Sequence, residues 1–289
     1  MARLSNTKEK GKTGVLYLCA AVFLLSVGLS FLLPAGGSIY SYGMIVQFAS
    51  LVIPAALYNS ISGEKALAGM KISLFSPAKT VFLLLFAVAI FCGSLLLSLI
   101  FGSETGTSAG VSGEPYSVAL LCMAILPAFA EELFFRGMVM SELEHYGPVT
   151  AVTLSSLLFA MFHFSLEGLP VYFFCGLMLA LCAYVTRSVL ASCAVHLVYN
   201  LTVMLGAEKI RAFFAITDDI TLIAVVLAVI LLVCLILIFG ECQRTYEIYS
   251  EQNALSPRKG VTGAGGFFSA LLSPASAACI IIFAAALLI

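Results

Sequence analysis

Charge is what this sequence has least of. Asp, Glu, Lys and Arg make up only 10% of the 289 residues, against 62% hydrophobic, and the mean hydropathy is +1.11. A soluble domain averages about 25% charged residues, so the composition excludes that class. About 20 apolar residues cross a bilayer as a helix. Segments of about ten alternating residues, the mark of a transmembrane barrel, are missing. The chain therefore reads as an all-α, polytopic integral membrane protein. No basic patch suggests nucleic acid, and the net charge of −1 says nothing about a partner. Nine cysteines form no CxxC pair and no metal-ligand spacing. Eight lie inside apolar runs and read as packing residues, with Cys242 in a polar stretch, so a disulfide framework is not expected. After the basic N-terminus, MARLSNTKEKGKTG, the apolar run is long and lacks a cleavage site, which favours a retained first span over a signal peptide.

Nine apolar segments are present, at 14–34, 41–59, 80–101, 117–141, 149–165, 170–186, 189–206, 220–239 and 267–289. This gives about eight to nine transmembrane helices. The fifth and sixth are short and joined by SLEGLP, so one of them is expected to be tilted or only partly inserted. Residues 1–239 form the membrane-embedded domain, 240–266 a polar linker and 267–289 a C-terminal hydrophobic helix. With the N-terminus in the cytosol, Arg3, Lys8, Lys10, Lys12, Lys65, Lys71, Lys79, Arg187, Arg244, Arg258 and Lys259 fall inside. Only Lys209 and Arg211 fall outside. The bias sets a cytosolic N-terminus.

Against this background the stretch ILPAFAEELFFRGMVM, 125–140, stands out. A charge at the centre of a spanning helix costs about 2.5–3.5 kcal/mol. Glu131, Glu132 and Arg136 unpaired would together cost roughly 8–10 kcal/mol, comparable to the ~5–15 kcal/mol of a whole fold. Glu132 and Arg136 are four residues apart and share a helix face, where they can pair. Glu131 points about 100° away, with no partner on its own helix. Either it faces a cavity or all three join a buried network with other helices.

Three histidines complete the polar inventory. His145, in the turn ELEHYGP, reads as solvated. His163 and His196 lie in later apolar spans, where a lone histidine is more often a hydrogen-bonding residue between helices than a catalyst. His196 shares a face with Asn200, and Tyr199 and Ser192 are at hand to support them. Together these residues make a hydrolytic set. A carboxylate with a histidine can polarise a water, and an amide with a second histidine can donate to a developing oxyanion. With no GxSxG and no SxxK, a serine or cysteine nucleophile is the weaker reading.

EELFFR (131–136), FAMFH (159–163) and HLVYN (196–200) resemble the motifs EExxxR, FxxxH and HxxxN of the CPBP family. That family comprises type II CAAX prenyl proteases and bacteriocin-processing or self-immunity (Abi) proteins. The resemblance covers about 117–206 and implies an intramembrane endopeptidase acting on a lipidated, leader or small membrane-associated peptide. It implies that Glu131 activates the water with His163 assisting, that His196 and Asn200 stabilise the oxyanion, and that Glu132 and Arg136 support the site. HExxH is absent. A zinc site from Glu131, His163 and His196 and a metal-free glutamate–histidine site use the same residues, and the resemblance favours the second. A short chain with Abi-like motifs points to the bacterial plasma membrane. Two rival classes remain open: an ion-coupled transporter, which would show repeated halves and broken helices at matching positions, and a non-catalytic peptide-binding or immunity protein.

Overall fold

The computed structural model describes residues 14–32, 39–62, 71–74, 79–102, 115–216, 219–251 and 264–288. Helices follow the apolar runs, because a backbone in hydrocarbon must satisfy its own hydrogen bonds. We label them α1 (Gly14–Leu32), α2 (39–62), α3 (Thr80–Phe101), α4 (Tyr116–Tyr146), α5 (Pro148–Met161), α6 (Leu169–Thr186), α7 (Val189–Ile216), α8 (Ile220–Glu251), α9 (Ala264–Leu271) and α10 (Pro274–Ala286). No strand occurs among the described residues. Among the described residues seven helices are long and apolar enough to span a bilayer, and α9 with α10 would make an eighth, bent by 60°. The polytopic all-α expectation is met.

Several limits differ from those read in the sequence. The fourth segment runs past 141 to Tyr146, because its polar last turn, SELEHY, remains helical. The fifth segment is a helix of only 14 residues, too short to cross by itself. Helix α8 continues to Glu251, through the first part of the stretch expected as a polar linker, and 252–263 lie outside the described residues. The last segment breaks at Ser273, where the Ser273 hydroxyl caps α10 by accepting from the Ser276 N–H at 3.3 Å and Pro274 opens the new helix. These two helices are part of the core, since Ala270, Ala275, Cys279 and Phe283 pack with Val15, Leu16, Cys19 and Phe23 of α1.

Two large apolar clusters, beside two small ones, fill the interior of the described residues. One gathers α1, α4, α5, α9 and α10 around Phe23, Phe134, Phe135 and Leu158. The other joins α3, α6, α7 and α8 around Phe86, Ile90, Leu179 and Val195. The outward face of α8, including Leu222, Val225, Val229, Leu232 and Ile236, is exposed and apolar, as a lipid-facing surface should be. Eight cysteines are buried and Cys242 is half-buried, and all are free thiols, which agrees with packing roles.

At one end of the bundle, residues 71–74 strap three elements together. Lys71 pairs with Glu144 at the end of α4, the Ser73 hydroxyl donates to the Arg187 carbonyl at 3.0 Å, and the Val189 N–H donates to the Lys71 carbonyl at 3.0 Å. His145 is not simply solvated. It is half-buried, its Nδ1 meets the Glu142 carbonyl, and its ring lies 3.8 Å from that of Tyr146.

Candidate active site

The site begins with the shape of α4. Two of its turns are π-helical, Leu121–Ile125 and Leu133–Val139, and such wide turns recur at functional positions. Glu131 and Glu132 lie immediately before the second, and Arg136 lies within it. All three are buried, in the seam between the two apolar clusters.

Glu132 is the centre of a closed polar network. Its Oε1 accepts from Arg136 Nη1 at 2.9 Å and from His196 Nδ1 at 2.9 Å. Its Oε2 accepts from the hydroxyl of Ser192, which also lies 3.0 Å from the Leu179 carbonyl. Arg136 Nη2 donates to the Gly176 carbonyl at 2.9 Å, and the guanidinium sits over the Phe159 ring at 4.3 Å. Gly176 makes this approach possible. A Cβ there would meet the Phe159 ring at 2.9 Å and the Ser156 carbonyl oxygen at 3.1 Å, so only glycine lets α6 come this close to α5. A buried charge of either sign is tolerated when it is paired and hydrogen-bonded, and this network supplies both except at Arg136 Nε, which is buried with no hydrogen-bond partner among the described residues.

Glu131 stands apart from that network. Its Oε1 accepts from Gln47 Nε2 of α2 at 3.2 Å, and it has no other hydrogen bond among the described residues. The two adjacent glutamates therefore differ: one is held on both oxygens, the other by a single amide.

His163 follows the end of α5, where the Phe164 N–H closes a turn onto the Met161 carbonyl at 3.0 Å with Phe164 in the left-handed region (φ 48°). That conformation is uncommon for a side chain other than glycine. The His163 Nδ1 lies 3.0 Å from the Phe159 carbonyl. A carbonyl only accepts, so Nδ1 carries the proton and Nε2 keeps its lone pair. The ring is clamped between Tyr172, stacked at 3.9 Å and 17°, and the edge of Phe159 at 5.0 Å. Phe159 also stands 6.1 Å from the His196 ring, so one phenylalanine spaces Arg136 and both histidines.

His196 uses Nδ1 on Glu132, which leaves Nε2 facing away from the carboxylate. As the neutral imidazole it offers a lone pair there, and only as the imidazolium does it donate. Asn200, one turn on, is half-buried and has no hydrogen bond among the described residues. Tyr199 is not in this cluster, and its hydroxyl reaches the side chains of Ser94 and Cys175. Among the described residues no three His, Cys, Asp or Glu side chains are gathered so as to hold a metal ion.

The structure joins Glu132, Arg136 and His196 directly, and Ser192 bonds Glu132 rather than His196 or Asn200, which the sequence reading had it support. Gln47 and Gly176 were missed. Gln47 had a signal, as an isolated amide in an apolar span, and such residues commonly bond between helices. Gly176 had none, because its role is a carbonyl and the lack of a side chain.

Residues 113–202 match the model of the type II CAAX prenyl endopeptidase Rce1-like family, in agreement with the CPBP resemblance of the three motifs, all of which lie inside the match. The family is one of proteases. No curated protein and no solved structure matches the chain.

Proposed function

We propose that the chain is an intramembrane endopeptidase of the CPBP type, hydrolysing a peptide bond with a water activated by Glu131. The observation that carries this reading is the unequal treatment of the two glutamates. Glu132 is locked by Arg136, Ser192 and His196, whereas Glu131 keeps lone pairs to spare. A carboxylate with unused acceptor capacity in a buried site is suited to take a proton from water.

In this reading Glu131 removes the proton while His163, its Nε2 free, orients the same water. The water attacks the scissile carbonyl, whose oxygen becomes an oxyanion. Asn200 and the imidazolium of His196 donate to that oxygen. Glu132 holds His196 by Nδ1 and is itself held by Arg136. The proton on Glu131 then passes to the leaving amine. The substrate is a lipidated, leader or small membrane-associated peptide, reached from the cytosolic side of a bacterial plasma membrane with the N-terminus of the chain also cytosolic.

The family match supports a prenylated substrate first. A test peptide ends in Cys-aliphatic-aliphatic-X with the cysteine prenylated. Incubated with proteoliposomes of the chain in H2¹⁸O, it should yield a shortened peptide with one ¹⁸O at its new carboxylate and no adduct on the protein. An acyl adduct on the chain would overturn attack by water. Binding without cleavage would favour the non-catalytic peptide-binding reading.

A further inference from the structure

The family match begins at residue 113, yet the partner of Glu131 comes from α2, 84 residues before it. Gln47 is the last residue before the π-helical turn Phe48–Val52. Its Nε2 donates to Glu131 Oε1 at 3.2 Å. This fixes the amide's orientation, since the flipped amide would set oxygen against oxygen. The other end, Gln47 Oε1, is buried and has no hydrogen-bond partner among the described residues. A buried acceptor left unmade is unusual in a native fold and is a reason to look for a ligand.

The surroundings indicate what kind. One turn beyond Gln47, α2 and α4 line a mostly apolar groove of about 410 Å³, with Leu51, Val52 and Ala55, and further on Asn59 and Ser60, on one side and Ala130, Leu133 and Phe134 on the other. Leu51 follows Gln47 by one turn of α2 and Ala130 precedes Glu131 in α4, so the groove begins close to this pair, though neither the Gln47 nor the Glu131 side chain lines it. A chain lying there in extended form presents backbone N–H groups at regular spacing. One of them can meet Gln47 Oε1 while its neighbouring carbonyl stands at Glu131.

We propose that Gln47 bridges the site: its N–H positions Glu131, and its carbonyl oxygen accepts a backbone N–H of the peptide being cut. This rests on the peptidase reading above and adds a substrate-binding residue from outside the matched region. Nothing in the groove is charged, and its polar residues Asn59 and Ser60 lie about three turns along α2 from Gln47, so Gln47 is the polar anchor at the end nearest Glu131.

Two measurements test it. The first needs no turnover. Thermal unfolding in detergent is compared for wild type, Gln47→Met, Glu131→Met and the double variant, with Gln47→Asn in place of Met should the apolar variant not express. The two sites should be non-additive, and additivity would overturn the positioning half. The second uses the prenylated peptide above, N-methylated at one backbone nitrogen at a time. Wild type should show one position at which methylation raises KM about tenfold, and Gln47→Met should be indifferent at that position. Gln47→Met should also lower kcat by about 10²-fold on the unmodified peptide, the loss expected of a misplaced base. If Gln47→Met responds to every N-methyl position as wild type does, the acceptor role is wrong. If wild type cleaves no peptide while the unfolding cycle shows coupling, the peptidase reading fails and the acceptor role falls with it, leaving only the Gln47–Glu131 contact.

Discussion

His196 Nδ1 lies 2.9 Å from Glu132 Oε1, and the same oxygen is 2.9 Å from Arg136 Nη1. This single carboxylate oxygen ties the third motif to the first. It makes Glu132 the fixed point of the site, while its neighbour Glu131 is held only by the Gln47 amide among the described residues.

Removing one partner of a buried ion pair costs about 3–5 kcal/mol, because the other charge is stranded. Arg136→Met should therefore express poorly or melt at a much lower temperature in detergent. Glu132→Gln/Arg136→Met, which removes both members of the ion pair, should recover part of that loss. A double variant less stable than Arg136→Met alone would contradict the pairing.

His163 is clamped by Tyr172 rather than by a second polar group. His163→Ala should abolish cleavage with unfolding temperature little changed. Tyr172→Leu should keep His163 but loosen it, costing about tenfold in kcat, the scale of one aromatic contact. Equal damage from both variants would mean that Tyr172 does more than hold the ring.

Asn200→Ala removes one of two proposed oxyanion donors. Loss of one such donor typically lowers turnover by about 10²–10³-fold, so residual activity should remain measurable against the Glu131→Gln background. An unchanged rate would remove Asn200 from the mechanism.

Gly176→Ala would force a methyl to within 2.9 Å of the Phe159 ring and 3.1 Å of the Ser156 carbonyl. Overpacking of this kind costs about 1–3 kcal/mol. The unfolding temperature should fall, and activity should fall with it, because the Gly176 carbonyl that meets Arg136 must shift. An alanine variant as stable and active as wild type would show that α5 and α6 can separate freely.

Much of this was legible in the sequence. Ten per cent charge demanded lipid as solvent, and the three charges in EELFFR demanded partners. The i to i+4 rule identified Glu132 with Arg136 and set Glu131 apart. What it did not yield depends on contacts between distant elements. Nothing local to His196 indicates that its Nδ1 faces Glu132 rather than Asn200, and nothing local to Gly176 indicates that its carbonyl meets a guanidinium. Nothing in the apolar runs indicates how the three motifs meet: the Glu132–His196 contact joins the first to the third, and Phe159 stands beside Arg136, His163 and His196. Nor do those runs show that α4 runs on to Tyr146 and α5 stops at Met161. Hydropathy reads residue content, and helix ends answer to caps and turns that it does not see.

The central claim is that Glu131 is the base of a peptidase. It is tested most directly by mass spectrometry of prenylated and leader-type peptides incubated with proteoliposomes of wild type and of Glu131→Gln. The account predicts shortened products with wild type alone, from two proteins with matching unfolding temperatures. Cleavage by Glu131→Gln at the wild-type rate would contradict it.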